Sequence, residues 1–557
     1  MTIKAVRNLR RISQVLFFLI FFWLILKTNF QPHFNPADKI DIRLPYPVSI
    51  ALQFDPLTAL GTLLSSGTVY KGLLWSLVIL IPTIFIGRFF CGWVCPLGSL
   101  NHWISEIPSE RLRRKGKGKI DSNRYKKYQR IKYYILLVFV AAALMGTLQI
   151  GLLDPLPFLA RSIGTVVLPT IHTAALGIVG WFKGIGWPPL GNAAQAVYDF
   201  IAPAFLNYRQ VHFHAIASLA LFFVIVLILN RIFTRFWCRG ICPLGAMLGI
   251  FSRYSLFGLK KDETTCTHCQ KCLVHCQGAD NPEIGDRWRQ AECHMCLNCQ
   301  ASCPEGSLSF CFFPDQADTK TNPAGTPKVD ITRRKVLASL AGGIALYPML
   351  RSGDAFKVNA DSRLIRPPGS VAEDKFLAKC IRCGQCMRVC PNNALHPTLM
   401  ESGLEGVWTP ILIPRIGYCE PSCTLCTQVC PTGAILELTI DQKIGTEDNP
   451  PVRIGTAFVD RGRCLPWAMG KTCIVCEEWC PVSPKAVYLN EEPATGPDKK
   501  TVMVKRPFVD PDQCTGCGAC EYACPVVDRP AIYVTSVGET RAPDNQILLQ
   551  RRGIKRA

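Results

Sequence analysis

The sequence predicts an α-helical membrane domain of four spans, arranged as two parallel-repeat hairpins with room for a fifth anchor helix, joined to α+β ferredoxin-like polycluster domains. Three observations predict it. The chain has 557 residues, too many for one domain, and 49% of them are apolar, with a mean hydropathy of +0.18; this suits a membrane portion attached to soluble ones. Four long apolar runs fill the first half of the chain. Of 29 cysteines, 24 fall into six groups separated by two, two and three residues or close variants, and four more form two copies of CxxxCP.

The apolar runs are Ile12 to Leu26, Gly72 to Phe90, Tyr133 to Leu153 and His214 to Phe236, near the ~20 residues that span hydrocarbon. Lys4, Arg7, Arg10 and Arg11 crowd the N-terminus, and Ser109 to Lys132 holds eleven Lys or Arg against two acids, whereas the loops 28–71 and 154–211 carry few. The positive-inside rule therefore puts the N-terminus, the 109–132 loop and both CxxxCP motifs on the cytoplasmic side. The basic loop reads as touching anionic lipid; no base-stacking or groove-reading motif accompanies it, so nucleic acid is not an expected partner. The formal charge of +21 falls to roughly +9 once six four-iron centres each bring about two negative charges.

The run endings repeat. "RFFCGWVCPLGSL" (Arg88 to Leu100) and "RFWCRGICPLGAMLG" (Arg235 to Gly249) each follow an outer D-P-L turn, at Asp55-Pro56-Leu57 and Asp154-Pro155-Leu156. Both copies start on the same side, so the repeats are parallel. The longer outer loop of the second copy is expected to lie along the membrane interface. Cys91, Cys95, Cys238 and Cys242 then arrive at the cytoplasmic ends of two related helices. Three readings are open: one shared iron or iron–sulfur site, redox thiols, or a structural turn motif. Proline after the second cysteine ends the helix in all three.

Three cysteines at two-residue intervals wrap three corners of a cubane cluster, while the fourth leaves in another direction and ligates the partner cluster in two-cluster ferredoxins. This assigns Cys266, Cys269, Cys272 and Cys303 to one [4Fe–4S] cluster and Cys293, Cys296, Cys299 and Cys276 to another. Zinc knuckles do not call for this pattern twice over. Cys380, Cys383, Cys386, Cys390 and Cys514, Cys517, Cys520, Cys524 are regular sets. Cys419, Cys423, Cys426, Cys430 carry one extra residue, and Cys464, Cys473, Cys476, Cys480 have an insert that puts eight residues between the first two cysteines. "CEPSCTLC" also fits the radical-enzyme CxxxCxxC, but Cys430-Pro431 supplies a fourth ligand in ferredoxin style. Cys311 belongs to no set and reads as an apolar residue.

The expected domains are 1–258, a four-helix membrane domain with the CxxxCP motifs; 259–310, a cytoplasmic two-cluster domain; 311–360, a linker; and 361–557, a four-cluster domain in the periplasm. The linker holds Arg333-Arg334 before a moderately apolar run to Leu350, in the manner of a twin-arginine export signal or a fifth membrane helix. His212, His214 and His102 are the quinone-binding candidates, weighed against plain interfacial packing. No phosphate loop, dinucleotide fingerprint or nucleophilic triad is present.

The first 310 or so residues, with paired CxxxCP motifs and a two-cluster segment, resemble NapH and the NosR/CcoG-type polyferredoxins. Residues 331 to about 535 resemble NapG and MauM ferredoxins, whose opening is matched by "RPPGSVAEDKFLAKCIRCGQC". The chain thus looks like a fusion of the two. The resemblance implies a multi-pass inner-membrane electron-transfer component of a quinol dehydrogenase, using six [4Fe–4S] clusters and quinol. Its partners would be the quinone pool and a periplasmic cytochrome or reductase, and a larger respiratory complex is compatible with it. A regulatory or metallocentre-assembly role of NosR/CcoG type is the alternative. By analogy with four-cluster ferredoxins, the first and fourth C-terminal motifs would exchange fourth ligands, and the second and third likewise.

Overall fold

The computed structural model describes residues 3–30, 43–68, 70–106, 117–205, 211–284, 288–314, 331–355, 363–446, 449–495 and 501–545. The basic stretch 109–116 and the linker 315–330 lie outside the described residues. A helical body is built from Ile3–Lys27, Pro56–Ser66, Leu77–Ile86, Pro96–Glu106, Ile131–Leu144, Ile216–Ile232, Pro243–Ser252 and Arg333–Ala355. Its core gathers Ile25, Leu57, Phe90, Leu97, Phe158, Trp237, Cys242 and Leu244.

The four expected spans do not emerge as such. Among the described residues only Ala5–Lys27 and Pro155–Gly184, of 23 and 30 residues, are helices long and apolar enough to cross a membrane. The other three runs break early, each at a left-handed or glycine position. Leu77–Ile86 is ten residues long and stops at Gly87 (φ 96°). Ile131–Leu144 ends before Gly146 (φ 91°), and Ile216–Ile232 is bracketed by Ala215 (φ 61°) and Arg235 (φ 51°). The second outer loop is also corrected. Residues 155–184 form one continuous helix, followed by Pro188–Phe205, and this pair exposes Trp181, Trp187, Val197 and Phe200. Proline at the first helical positions after Asp154 starts it, because the missing N–H has no partner to lose there.

Three helices run the length of the body from one ferredoxin module to the other. At one end of Ile3–Lys27, Arg10 donates to Gln277 Oε1 at 3.1 Å; at the other, the Ile25 carbonyl accepts from Arg388 Nε at 3.0 Å. Arg333–Ala355 begins where Thr332 N meets Tyr134 Oη at 3.3 Å and ends where Arg351 pairs with Glu405 at 2.9 Å. At a 1.5 Å rise its 23 residues cover about 34 Å. Gly343 sits against the Val138 carbonyl and Ala141, so that helix packs backbone to backbone on Ile131–Leu144. Ile216–Ile232 likewise runs from Trp408, whose Nε1 donates to Ser218 Oγ at 3.1 Å, to Ser105, whose hydroxyl donates to the Asn230 carbonyl.

The ferredoxin modules are small antiparallel ladders holding cysteine loops. β1 (Phe257–Lys261) pairs with β2 (Leu308–Phe312) and closes the first module. Cys311 lies half-buried opposite Gly258 in that ladder. In the second module β3 (Leu395–Pro397) pairs with β4 (Pro410–Leu412), β5 (Thr456–Val459) with β8 (Ile532–Thr535), and β6 (Val487–Thr495) with β7 (Thr501–Val509).

Candidate iron–sulfur centres

The C-terminal cysteines line three cavities, and each cavity mixes neighbouring motifs. Cys380, Cys383 and Cys386 share one with Cys430; Cys419, Cys423 and Cys426 share the next with Cys390; Cys514, Cys517 and Cys520 share the third with Cys480. Cys464, Cys473 and Cys476 lie beside Cys524. The fourth ligands are therefore exchanged between the first and second motifs and between the third and fourth. This corrects the expected first-to-fourth and second-to-third exchange. The reason is local: the Ser370–Ile435 bridge brackets the first pair, with β3–β4 between its motifs, and β5–β8 brackets the second. The two units meet where Cys419 N donates to the Cys517 carbonyl at 2.8 Å.

In the first module Cys276 lies with Cys293, Cys296 and Cys299, and Cys272 and Cys303 pack against the small core of Leu259, Cys299 and Leu308. No disulfide joins the cysteines, and burial pushes up the thiols of Cys383, Cys423 and Cys517, each to about 12. Such thiols stay protonated at neutral pH unless a metal displaces the proton. Among the described residues no three Cys, His, Asp or Glu side chains converge as ligands of a single ion would.

The CxxxCP cysteines do come together. Cys91, Cys95, Cys238 and Cys242 line one enclosed cavity with Arg88, Phe90, Pro155, Trp237, Gly98 and Gly245. The two copies dress their thiols alike. Gly98 N donates to Cys95 Sγ at 3.4 Å and Gly245 N to Cys242 Sγ at 3.2 Å, each from the first turn of the helix that proline opens. Arg88 Nη2 lies 3.8 Å from Cys91 Sγ, and Asn101 Nδ2 lies 3.5 Å from Cys238 Sγ. The D-P-L turns also meet. Asp55 and Asp154 are fully buried with facing carboxyls, and Thr58 Oγ1 donates to Asp154 Oδ2 at 3.3 Å.

The first module seats on the CxxxCP end. Trp93 Nε1 donates to the Met295 carbonyl at 2.9 Å, Arg88 Nη1 to the Ala291 carbonyl at 2.8 Å, and Arg235 Nη1 to His294 Nδ1 at 2.9 Å. Buried among Arg88 and Arg235, His294 is held neutral, its pKa far below the usual range. The second module seats on the opposite end, where Arg161 Nη1 donates to the Arg382 carbonyl at 2.8 Å and Arg382 donates to the Leu148 carbonyl.

The chain's relatives fit this arrangement. A 4Fe–4S binding domain family matches residues 68–117 and 214–262, a 4Fe–4S dicluster domain family matches 379–434, and a further 4Fe–4S binding domain family matches 505–526. The ferredoxin-type protein NapG of Escherichia coli is 36% identical over 207 residues, 36% of this chain and 84% of that protein. The chain belongs to the NapG/MauM family of ferredoxin-type proteins. The methylamine utilization ferredoxin-type protein MauM of Methylorubrum extorquens is 36% identical over 202 residues, 34% of this chain and 80% of its own length. No solved structure matches. As a NapG/MauM relative the chain is an iron–sulfur electron-transfer protein, and its dicluster match at 379–434 encloses the two motifs whose fourth ligands are exchanged.

The histidine candidates fall at module contacts. His102 accepts from Gln277 Nε2 at 3.2 Å, and burial with Arg235 close by lowers its pKa to about 2. The His212 carbonyl accepts from Asn393 at 2.7 Å, and His214 N donates to His396 Nδ1 at 3.2 Å. The sequence pattern missed Arg161 and Arg388, both fully buried where the helical body meets the first C-terminal motif.

Proposed function

We propose that the protein is a membrane-bound polyferredoxin that carries electrons between the quinone pool and a redox partner through a chain of [4Fe–4S] clusters. The observation that carries the reading is the order of the cysteine sets. Cys269 is exposed at one extreme; the Cys293 set follows against the helical body; beyond the body the Cys380, Cys419, Cys514 and Cys464 sets each abut the next. Each cluster, when bound, accepts and releases one electron, and the thiolates and backbone N–H groups around it set its potential.

The chain's own residues supply the rest. Lys443 Nζ donates to the Glu420 carbonyl at 2.6 Å beside the Cys419 set, placing a cation where an added electron would sit. The insert after Cys464 presents exposed Met469 and holds Trp467 between Arg461 and Arg506, whose guanidinium carbons lie 4.2 and 4.6 Å from the ring. That apolar surface with cationic flanks is suited to a redox partner at the end of the series. Arg333–Ala355, which opens on the paired arginines, packs along Ile131–Leu144 and reaches the second module through Arg351 and Glu405; a periplasmic position for the second module is part of the proposal.

A reductive assay tests the proposal. Purified protein mixed anaerobically with a ubiquinol or menaquinol analogue should lose the visible absorption of oxidised clusters. Full retention of that absorption with both quinols would remove the quinone from the account.

A further inference from the structure

We propose that the cleft between the two halves of the second module binds a planar conjugated two-electron carrier, an isoalloxazine or a quinone head group, at a point where two clusters reach it at once. The inference rests on the preceding reading only for electron transfer through the clusters, not for the quinone pool. The cleft has a volume of about 430 Å³, within the ~300–1,000 Å³ of small-molecule sites. It shares Cys419 and Pro368 with the cavity of the Cys419 set, and Cys517, Thr515, Pro481 and Val482 with that of the Cys514 set. The bond from Cys419 N to the Cys517 carbonyl holds these two ligands side by side.

The lining says what fits. Pro368, Pro421, Pro451 and Pro481 line the cleft with Val452 and Val482, giving apolar walls whose prolines have little side-chain freedom to lose on binding. Residues 443–446 and 451–452 form one wall. There Val452 N donates to the Lys443 carbonyl at 3.2 Å, and Gly445 turns at φ 91° so close to Pro451 that a Cβ would lie 2.8 Å from the proline nitrogen. Lys443 Nζ is fixed by the Glu420 and Cys423 carbonyls at 2.6 and 2.5 Å, a cation already in place for the negative charge a carrier gains on reduction. Thr446 and Gln513 add polar groups for its heteroatoms. Apolar walls with a polar, cationic edge suit a flat heteroaromatic or quinonoid molecule rather than a sugar or a free anion.

Two clusters at one cleft decide the electron count. A [4Fe–4S] cluster exchanges one electron, so a site touched by a single cluster would leave a two-electron carrier half reduced. Here the Cys419-set and Cys514-set clusters each reach the cleft through a ligand, Cys419 and Cys517. The bound carrier takes one electron from each reduced cluster and two protons from water, forming two O–H or N–H bonds. Both clusters return to their oxidised state, and no bond to the protein forms or breaks. The series of cysteine sets thus has a branch for an electron pair between the Cys419 and Cys514 sets, besides its two ends.

Equilibrium dialysis of oxidised, iron-replete full-length protein against flavin mononucleotide and, separately, menadione tests it. At least one probe should bind at a single saturable site; flavin alone assigns the cleft to a soluble flavin nucleotide, and menadione alone assigns it to a quinone head group. Val482→Trp and Val452→Trp fill the cleft without touching a cluster ligand. Each should weaken that binding about tenfold or more, with iron content and cluster EPR signals unchanged. Val527→Trp, at a side chain 84% exposed and outside the cleft, should leave binding as it is. After dithionite reduction of the clusters, each bound carrier should take up two electrons. Absence of saturable binding by both probes, binding that survives in both cleft variants, or uptake of one electron per carrier would each overturn the proposal. Wild-type binding stands even if a variant loses its clusters. It is read without any reductant, so its failure can be told from failure of the quinol assay.

Discussion

Gly151 and Ile381 touch backbone to backbone: a methyl group added at Gly151 would collide with the Ile381 carbonyl, one residue from Cys380. The contact fixes how the first C-terminal cysteine loop seats on the helical body. Gly151→Val should therefore loosen the second module, costing about 1–3 kcal/mol as overpacking does, and should raise protease sensitivity between 363 and 446. An unchanged melting temperature and digestion pattern would show that the module is held elsewhere.

The exchange of fourth ligands has a countable consequence. Cys380→Ala and Cys430→Ala should each remove one cluster, about four irons, and the double variant the same one. If Cys430 served another motif's cluster, the double variant would lose about eight irons.

How far these features could be read from the sequence differs from site to site. The six cysteine sets and the pairing of Cys276 with the Cys293 set follow from local spacing, because in the regular sets three ligands in seven residues leave the loop little choice. The partner of Cys430 depends on which motifs the short ladders bring together, and β3–β4 spans only three residues per strand, a signal too short for periodicity. The apolar runs were visible, but their true helical lengths were not. Gly146 and Arg235 end helices through left-handed backbone that hydropathy does not register. Pro155–Gly184 escaped notice because its glycines, prolines and tryptophans resemble a loop by composition. The convergence of the CxxxCP thiols was legible as a repeat; the Arg88 and Arg235 contacts that seat the first module there were not.

Glu373 ties the start of the second module together, bonding Arg366 through both oxygens and Arg541 at 2.7 Å. Burial alone would raise its pKa, but the two guanidinium groups outweigh it and hold the carboxyl at about 2. A depressed folded-state value gives stability that is present above the unfolded pKa near 4.5 and lost as pH falls toward 2. The side chain is 31% exposed, so about 1–3 kcal/mol is expected. Glu373→Gln should lower the melting temperature at pH 7 and flatten its fall between pH 5 and 3. An unaltered slope would remove Glu373 from the acid response.

Sidedness can be read with tags. If the Arg333–Ala355 helix carries the chain across the membrane, a tag after Ala557 should be cleaved from the periplasmic face, whereas one inserted at Gly258 should be protected. Protection of both tags would leave Arg333-Arg334 as an ordinary basic flank.

Passage of electrons across the helical body by way of the CxxxCP cysteines is tested most directly by electron flow through the whole chain. In proteoliposomes with an impermeant one-electron reductant on the Cys269 face and an impermeant oxidant on the Cys464 face, wild-type protein should carry a steady current. Cys238→Ala should abolish it while the spectra of the six ferredoxin clusters persist. Undiminished current in Cys238→Ala would contradict the account, because electrons would then pass between the modules without the four-cysteine site.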